Sequence, residues 1–156
     1  MLWRRRIEPF TRPLFRLVSR LTRGLTLGVR GLVTDEAGRV LLIEHTYLHG
    51  WYMPGGGVER GETTEQALAR ELVEEAGIVV VGRPRLISVH SNHVKFPGDH
   101  VLVYLVEQWR ACPPTSRGEI HAIEWFAPDA LPHDISPSTR RRIEEALRAM
   151  ESDPNW

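Results

Sequence analysis

GGGVERGETTEQALARELVEEAGI, residues 55–78, joins a glycine run to the most regular helical pattern of the chain. Thr63 can cap a helix N-terminus, and Gln66, three residues later, can complete a capping box. Good helix formers follow until Gly77, which is typical of a residue that ends a helix. The stretch therefore predicts one helix that begins after Thr63 and ends before Gly77.

One face of this predicted helix is acidic. At about 100° per residue, Glu71, Glu74 and Glu75 fall within an arc of roughly 100°. Arg70 lies at the edge of this arc and can offset only part of the repulsion between the carboxylates. A hard divalent cation such as Mg²⁺, which prefers oxygen ligands, would relieve it. We expect the opposite face to pack into the core through Ala69, Leu72, Val73 and Ala76.

The segment ahead of the helix is also specialised. Pro54 is followed by Gly55, Gly56 and Gly57, which let the backbone approach a metal ion or a phosphate without obstruction by side chains. A solvated acidic face on a surface helix is the alternative interpretation, and it does not account for this glycine run. The combination favours a metal and phosphate site.

The stretch resembles the Nudix box, which reads G, five residues, E, seven residues, then R-E-apolar-any-E-E-any-G-apolar. The match is complete and the spacings are fixed, so it is highly specific. The matching residues are Gly56, Glu62, Arg70, Glu71, Leu72, Glu74, Glu75, Gly77 and Ile78.

The resemblance implies a fold and an activity. The fold is an α/β protein, a three-layer α/β/α sandwich around a mixed β-sheet. The activity is Mg²⁺-dependent hydrolysis of a diphosphate linkage in a nucleoside diphosphate joined to another group, or in a similar nucleotide-type small molecule, with Mn²⁺ as a substitute metal. A nucleotide-sensing module that binds without hydrolysis is the alternative function, although such relatives are expected to lose box carboxylates.

The resemblance also implies roles for individual residues. Arg70 would hold the glutamates by ion pairs, with Glu62 as its partner. The general base is either Glu71 or Glu119, which precedes a segment that contains Trp125 and Phe126. The implied metal ligands are Glu71, Glu74, Glu75 and the carbonyl of Gly56. We further predict substrate contacts from Arg30, His45, Gly55, Glu62 and His93.

Composition agrees with an ordinary globular enzyme. The 156 residues suit one domain, with 42% hydrophobic and 26% charged residues. The single cysteine, Cys112, excludes an internal disulfide and fits a reducing compartment. No apolar stretch approaches the length of a transmembrane helix. We therefore expect a cytoplasmic protein.

Outside the box, five further runs favour strands and one favours a helix. The first two strands, 26–34 and 40–46, are separated by a short turn and predict a hairpin. Trp51 is expected to anchor the core or the loop, and stacking on a base is the alternative. His90, His93 and His100 match no zinc spacing, so we expect them at strand ends near a pocket. The remaining predictions are strands over 85–93, 100–109 and 119–126, and a final helix after Ser136-Pro137 that buries Ile143, Ala146, Leu147 and Met150.

Residues 1–23 are expected to form a basic amphipathic arm, and residues 24–156 the hydrolase domain. Residues 1–30 hold eight arginines against one glutamate, a net charge of +7, so the other 126 residues carry −7. The arm could pack on its own domain or across a homodimer, or it could bind an anionic membrane surface or nucleic acid. We favour packing, with a homodimer as its form. A helical stripe for this contact would contain Leu14, Leu17, Val18 and Leu21.

Overall fold

A computed structural model describes residues 24–116, 118–148 and 150–156. It contains eight strands and two α-helices, and a five-residue π-helical segment continues the first helix. In chain order the elements are β1 Thr26–Val33, β2 Val40–His45, β3 Trp51–Tyr52, α1 Thr64–Glu71, the π-helical segment Leu72–Ala76, β4 Ile78–Val80, β5 Arg85–Ser91, β6 Asp99–Val106, β7 Trp109–Ala111, β8 Ile120–Phe126 and α2 Pro137–Leu147.

The strands form a mixed set of ladders. Strand β6 lies between β1, to which it is parallel, and β5, to which it is antiparallel. Strand β2 lies between β3 and β8, and both pairings are antiparallel. Strands β4 and β7 form a separate antiparallel pair. The predicted mixed β-structure is therefore confirmed.

Successive side chains of a strand point to opposite faces of the sheet, so the buried apolar residues form two clusters. Val29 of β1 packs in one cluster with Leu68 and Leu72 of the first helix. Leu32, on the opposite face of β1, packs in the other cluster with Ile143 of α2. The strands thus lie between two helical layers, which confirms the three-layer α/β/α sandwich.

The first helix begins where the sequence predicts. Thr63 and Gln66 form both hydrogen bonds of the capping box, and Gly77 ends the helix with a left-handed φ of 63°. The predicted core face was partly wrong. Ala69 and Val73 are only half-buried, whereas the buried face consists of Ala67, Leu68, Leu72, Glu75 and Ala76. The physical reason is that the glycine loop covers the side of the helix that carries Glu75.

The predicted hairpin of β1 and β2 was wrong. The two strands are joined by one isolated bridge, between Thr34 and Val40. Beyond it β1 pairs with β6, and β2 pairs with β3 and β8. A short turn between two apolar runs indicates a change of direction, but partners distant in sequence decide which strands share hydrogen bonds.

The predicted buried stripe of α2 was also largely wrong. Ile143 is buried, but Ala146, Leu147 and Met150 are exposed, and Met150 lies beyond the helix. The largest buried side chain in their place is Arg142, which is 1% exposed.

Arg142 is buried because the C-terminal segment supplies acceptors for it. Its guanidinium donates to the carbonyls of Asp153 and Asn155 at 3.1 Å each, and to Glu145 Oε1 at 2.7 Å. Backbone hydrogen bonds between Ser91 of β5 and the segment 154–156 hold those carbonyls in place.

His90 is completely buried against Arg142. Its Nδ1 donates to the carbonyl of Asp153 at 2.7 Å, and its Nε2 shares a hydrogen bond of 2.7 Å with the hydroxyl of Ser88. It is therefore part of this C-terminal packing, not the strand-end pocket residue that we expected. Trp51, in contrast, confirms its prediction as a core anchor. It is 9% exposed and makes an edge-on contact with Phe126, with ring centroids 4.9 Å apart.

The predicted arm, residues 1–23, lies outside the described residues. Within the described part of the chain, no helix has the length and apolar character required to cross a bilayer.

Candidate active site

The glycine loop that precedes α1 is attached to the first half of β1. The amide of Val29 donates to the carbonyl of Gly56 at 2.9 Å, and the amide of Gly31 donates to the carbonyl of Pro54 at 2.9 Å. On the other side of the loop, the amide of Val58 donates to Leu27 at 2.8 Å. These bonds place Gly55–Gly57 directly beside the helix that carries the glutamates.

Glu75 is turned into this loop. Its Oε2 accepts a hydrogen bond from the amide of Gly55 at 2.8 Å, and the residue is only 8% exposed. Burial raises the pKa of Glu75 to about 7, and the Gly55 amide and Arg30 offset only part of this effect. A buried carboxylate with this pKa is costly to ionise unless a cation compensates its charge.

Arg30 contacts the same loop. Its guanidinium donates to the carbonyl of Gly55. Burial lowers the pKa of Arg30, while the carboxylates of Glu75 and Glu71 act in the opposite direction. Gly55 is therefore held through both of its backbone groups. Its amide donates to Glu75, and its carbonyl accepts from Arg30.

Glu71 lies against the next glycine. A Cβ atom at position 56 would be 2.4 Å from Glu71 Oε1 and 2.8 Å from Oε2. Only a glycine at this position leaves the carboxylate where it is. The carbonyl and the carboxylate of this pair thus supply oxygen atoms to one small region of the molecule.

Arg70 connects the carboxylates. It binds Glu62 through two bonds, of 2.8 and 3.0 Å, and it donates to Glu71 Oε1 at 2.7 Å. The same guanidinium lies 3.6 Å from Glu74 Oε2 and donates to the carbonyl of Gly57 at 3.1 Å. Hydrogen bonding to Arg70 lowers the pKa of Glu62 to about 2. The predicted partnership of Arg70 with Glu62 is present in the structure.

This donor set fits a hard divalent cation. Two carboxylates lie against adjacent glycines, a third is half-exposed beside Arg70, and the ligand atoms available are oxygens. Mg²⁺ and Mn²⁺ prefer carboxylate and carbonyl oxygens. Burial raises the pKa of Glu75, and the neighbouring carboxylates of Glu71 and Glu119 act in the same direction. A bound cation would oppose this effect.

The end of β2 and the start of β8 form the wall beside these carboxylates. The amide of Thr46 donates to the carbonyl of Glu119 at 2.9 Å. Burial lowers the pKa of His45, and Glu119 acts against that change; the same carboxylate contributes to raising the pKa of Glu75. Glu119 therefore lies close enough to act electrostatically on both Glu75 and His45.

An open pocket of about 440 Å³ lies along this wall, lined by residues 44–49 and His121. The His45 ring lies 5.1 Å from the ring of Tyr47, which is 70% exposed, and 5.8 Å from that of Tyr52. His45 Nδ1 is buried and has no hydrogen-bond partner among the described residues. Of these pocket residues, His45 was predicted from the sequence, whereas Tyr47 and His121 were missed. His121 reaches the pocket only because β2 pairs with β8.

The other two predicted substrate residues lie in different surroundings. Both carboxylate oxygens of Glu62 are bound to Arg70, and one also accepts from the amide of Glu59 at 2.9 Å. His93 is exposed on the turn after β5, where its ring accepts from the amide of Gly98 at 3.4 Å. Among the described residues, His93 forms no hydrogen bond or ion pair with these carboxylates.

A second group of possible ligands lies at the outer edge of the pocket. Glu44, His49 and Asp134 bring one ligand atom each within 4.8 Å of one another. Two of the three residues are exposed, and the closest His49–Asp134 approach is 4.0 Å. Exposed groups of this kind are common without an ion, and no function is assigned to it.

Comparison with known proteins agrees with this geometry. The NUDIX domain model matches residues 24–146. A MutT-like protein of Streptomyces ambofaciens is 33% identical over 122 residues, which cover 78% of this chain and 77% of the relative. An 8-oxo-dGTP diphosphatase of Escherichia coli is 34% identical over 100 residues, 62% of this chain and 73% of the relative. Among solved structures, a MutT NUDIX hydrolase from Burkholderia pseudomallei aligns with a TM-score of 0.68 and 28% identity, covering 80% of this chain and 99% of that chain.

Proposed function

Because the chain belongs to the Nudix hydrolase family, we propose that it hydrolyses a diphosphate linkage in a nucleotide-type small molecule. The observation that carries the proposal is the contact of Glu71 and Glu75 with the glycine loop, through Gly56 and Gly55. It supports a site in which carboxylates and backbone oxygens share a divalent cation. The name of the Escherichia coli relative, an 8-oxo-dGTP diphosphatase, agrees with this class of substrate.

We assign the metal to Glu71, Glu74, Glu75 and the carbonyl of Gly56. When bound there, Mg²⁺ or Mn²⁺ would neutralise phosphate charge and lower the pKa of a coordinated water. Arg70 would keep Glu71 and Glu74 in position, since its guanidinium contacts both carboxylates and is itself fixed by Glu62. Glu62 then acts through Arg70 and does not touch the substrate.

Glu119 is our candidate for the general base. Its carboxylate would take a proton from the attacking water, the oxygen of that water would bond to phosphorus, and the P–O bond to the leaving phosphate would break. Glu71 is the other candidate, but its Oε1 is already bound to Arg70 at 2.7 Å. Glu119 also lies close enough to influence both Glu75 and His45, on the wall that leads to the pocket.

The pocket beside Glu119 is the proposed place for the nucleoside part of the substrate. Tyr47 presents an exposed ring, and aromatic side chains of this kind stack on bases. His45 offers a ring nitrogen that lacks a partner among the described residues. Arg30, which donates to the carbonyl of Gly55, would bring a positive charge to the phosphates beside the loop.

The test is a phosphate-release screen with Mg²⁺ and with Mn²⁺ over nucleoside triphosphates, oxidised nucleotides, nucleotide sugars, ADP-ribose and dinucleoside polyphosphates. Glu74→Gln should lower turnover on any accepted substrate by orders of magnitude and leave the fold intact, because the side chain is half-exposed. Glu65→Gln, on the same helix but paired with Arg83, is the matched control. Turnover by Glu74→Gln equal to that of the control at saturating metal would refute the metal assignment. Tight binding of one compound without hydrolysis of any would favour the sensing module.

A further inference from the structure

Thr46, the residue that follows β2, contacts the backbone on both sides of Glu119. Its amide donates to the carbonyl of Glu119 at 2.9 Å. Its hydroxyl donates to the carbonyl of Gly118 at 2.9 Å and lies 3.3 Å from the carbonyl of Glu119. These two carbonyls belong to the peptide groups that flank the Cα atom of Glu119. The orientation of that Cα atom is therefore set by hydrogen bonds to one residue.

A bulge in β8 determines that Glu119 is the residue held in this way. The pairing of β2 with β8 is regular up to Glu44. His45 then lies opposite Ile120, so β8 contains one extra residue at this point. Without the extra residue, the regular register would place Ile120, not Glu119, beside Thr46. Bulges next to active sites commonly change the direction of a functional side chain in this manner.

The chain ahead of Glu119 is attached to the helix that carries the other carboxylates. The amide of Ser116 donates to the carbonyl of Glu74 at 2.9 Å. Gly118 has a left-handed φ of 83°, which a glycine adopts at little cost. The backbone that leads into Glu119 thus has one attachment on the π-helical segment and a second one on Thr46.

We propose that Thr46 is a positioning residue for Glu119: its hydroxyl fixes the adjoining backbone and so keeps the carboxylate where it can take the proton of the attacking water. The inference rests on the proposed function, in which Glu119 is the general base. Glu119 is exposed, so packing against the core does not hold it in place. A general base must lie within about 2.6–3.2 Å of the atom whose proton it removes. A small displacement of the backbone is therefore enough to lower the rate.

The test compares Thr46→Val, which keeps the shape of the side chain but removes the hydroxyl, with Thr46→Ser, which keeps the hydroxyl. Kinetics are measured at saturating Mg²⁺ with whichever nucleoside triphosphate, oxidised nucleotide or ADP-ribose the wild type hydrolyses fastest. We expect Thr46→Val to lower kcat about tenfold with little change in KM, and Thr46→Ser to restore most of the loss. Thr26→Val is the matched control, since it also removes an exposed hydroxyl that donates a hydrogen bond, at 2.6 Å to Asp99. It should have the kcat of the wild type.

A double substitution shows whether Thr46 acts through Glu119. Glu119→Gln alone should lower kcat about a hundredfold or more. In that background Thr46→Val should change kcat by less than about twofold, because the carboxylate that the hydroxyl positions is no longer present. A second loss as large as that of Thr46→Val alone would overturn the proposal, since Thr46 would then act independently of Glu119.

Amide hydrogen exchange in the metal-free protein gives a readout that does not depend on turnover. The amide at position 46 donates to the carbonyl of Glu119, and its protection factor should fall about tenfold in Thr46→Val but not in Thr46→Ser. Equal protection in wild type and Thr46→Val, equal kcat in the two, or equal losses of kcat in Thr46→Val and Thr46→Ser would each overturn the proposal. Absence of hydrolysis by the wild type would refute the proposed function and with it the catalytic role of Thr46. The protection factor would still decide whether the hydroxyl fixes the backbone at Glu119.

Discussion

Gly56 lies so close to the carboxylate of Glu71 that a Cβ atom at position 56 would be only 2.4 Å from Glu71 Oε1. The atom that would have to move is the end of a flexible side chain, so the fold can tolerate an alanine while the carboxylate cannot keep its place. A substitution at Gly56 should therefore change the position of the Glu71 carboxylate without a large change in the stability of the protein.

Gly56→Ala should consequently give a folded protein with much lower turnover. A displacement of about 1 Å at a catalytic group can reduce the rate by about a hundredfold. Gly57→Ala is the matched control, because a Cβ there would meet nothing within 4 Å. Both variants should be assayed for turnover and melting temperature. Equal turnover in the two would contradict a role for the Gly56–Glu71 contact in the reaction.

Glu62→Gln should weaken metal binding without removing a ligand. The substitution takes away the charge that holds Arg70 through two hydrogen bonds, and Arg70 is then free to pair more closely with Glu71 and Glu74. We expect the Mg²⁺ concentration for half-maximal activity to rise about tenfold, as for other outer-shell partners of metal ligands. Glu59→Gln, on the same loop but exposed, should need the same Mg²⁺ concentration for half-maximal activity as the wild type. A wild-type Mg²⁺ requirement in Glu62→Gln would show that Arg70 does not need this partner.

Glu75 predicts a pH dependence of metal-free stability. Its folded-state pKa of about 7 lies above the ordinary value of 4.5, so between these values the folded protein holds a proton that the unfolded chain has released. This contribution to stability is fully present below about 4.5 and is lost as pH rises through 7. In EDTA, the contribution of Glu75 should therefore lower the melting temperature of the protein between pH 5 and pH 8. This decrease should be smaller in Glu75→Gln.

The same residue makes the stabilising effect of Mg²⁺ depend on pH. Since the ligand must be ionised to bind metal, the rise in melting temperature on addition of Mg²⁺ should be larger at pH 8 than at pH 6. Calorimetric scans at the two pH values measure it directly. A rise of the same size at both would mean that Glu75 is ionised throughout, and that its burial is compensated by a group other than the metal.

Arg142 should matter for stability although it lies in the C-terminal packing. Its removal takes one donor from each of the carbonyls of Asp153 and Asn155. It also leaves the carboxylate of Glu145 without its ion pair. Arg142→Met is therefore expected to lower the free energy of unfolding by about 3 kcal/mol. Arg148→Met, at an exposed position one residue beyond α2, should change it by less than about 0.5 kcal/mol. Urea denaturation of the two variants gives the comparison, and equal midpoints would contradict the structural role of Arg142.

The parts of the molecule that the sequence predicted well are those decided by close neighbours in the chain. The capping box of Thr63 and Gln66 and the helix end at Gly77 depend on residues within one turn. The contact of Arg70 with Glu62 spans eight residues and follows from the box spacing, which the family resemblance supplied.

The parts that were wrong depend on distant segments. Periodicity could not reveal that the glycine loop buries Glu75, or that the C-terminal segment supplies acceptors for Arg142. It also could not choose β6 as the partner of β1 over the nearby β2. His121 was missed for the same reason, since it reaches the pocket only because β2 pairs with β8.

The attachment of the glycine loop to β1 has a consequence for the thermodynamics of binding. Fixing the backbone of one residue costs about 1–2 kcal/mol of conformational entropy. The hydrogen bonds from Val29, Gly31 and Val58 order the loop in the folded protein before any ligand arrives. Most of that entropic cost is therefore met during folding. An incoming phosphate encounters backbone groups already in place, and more of its interaction energy remains available as affinity.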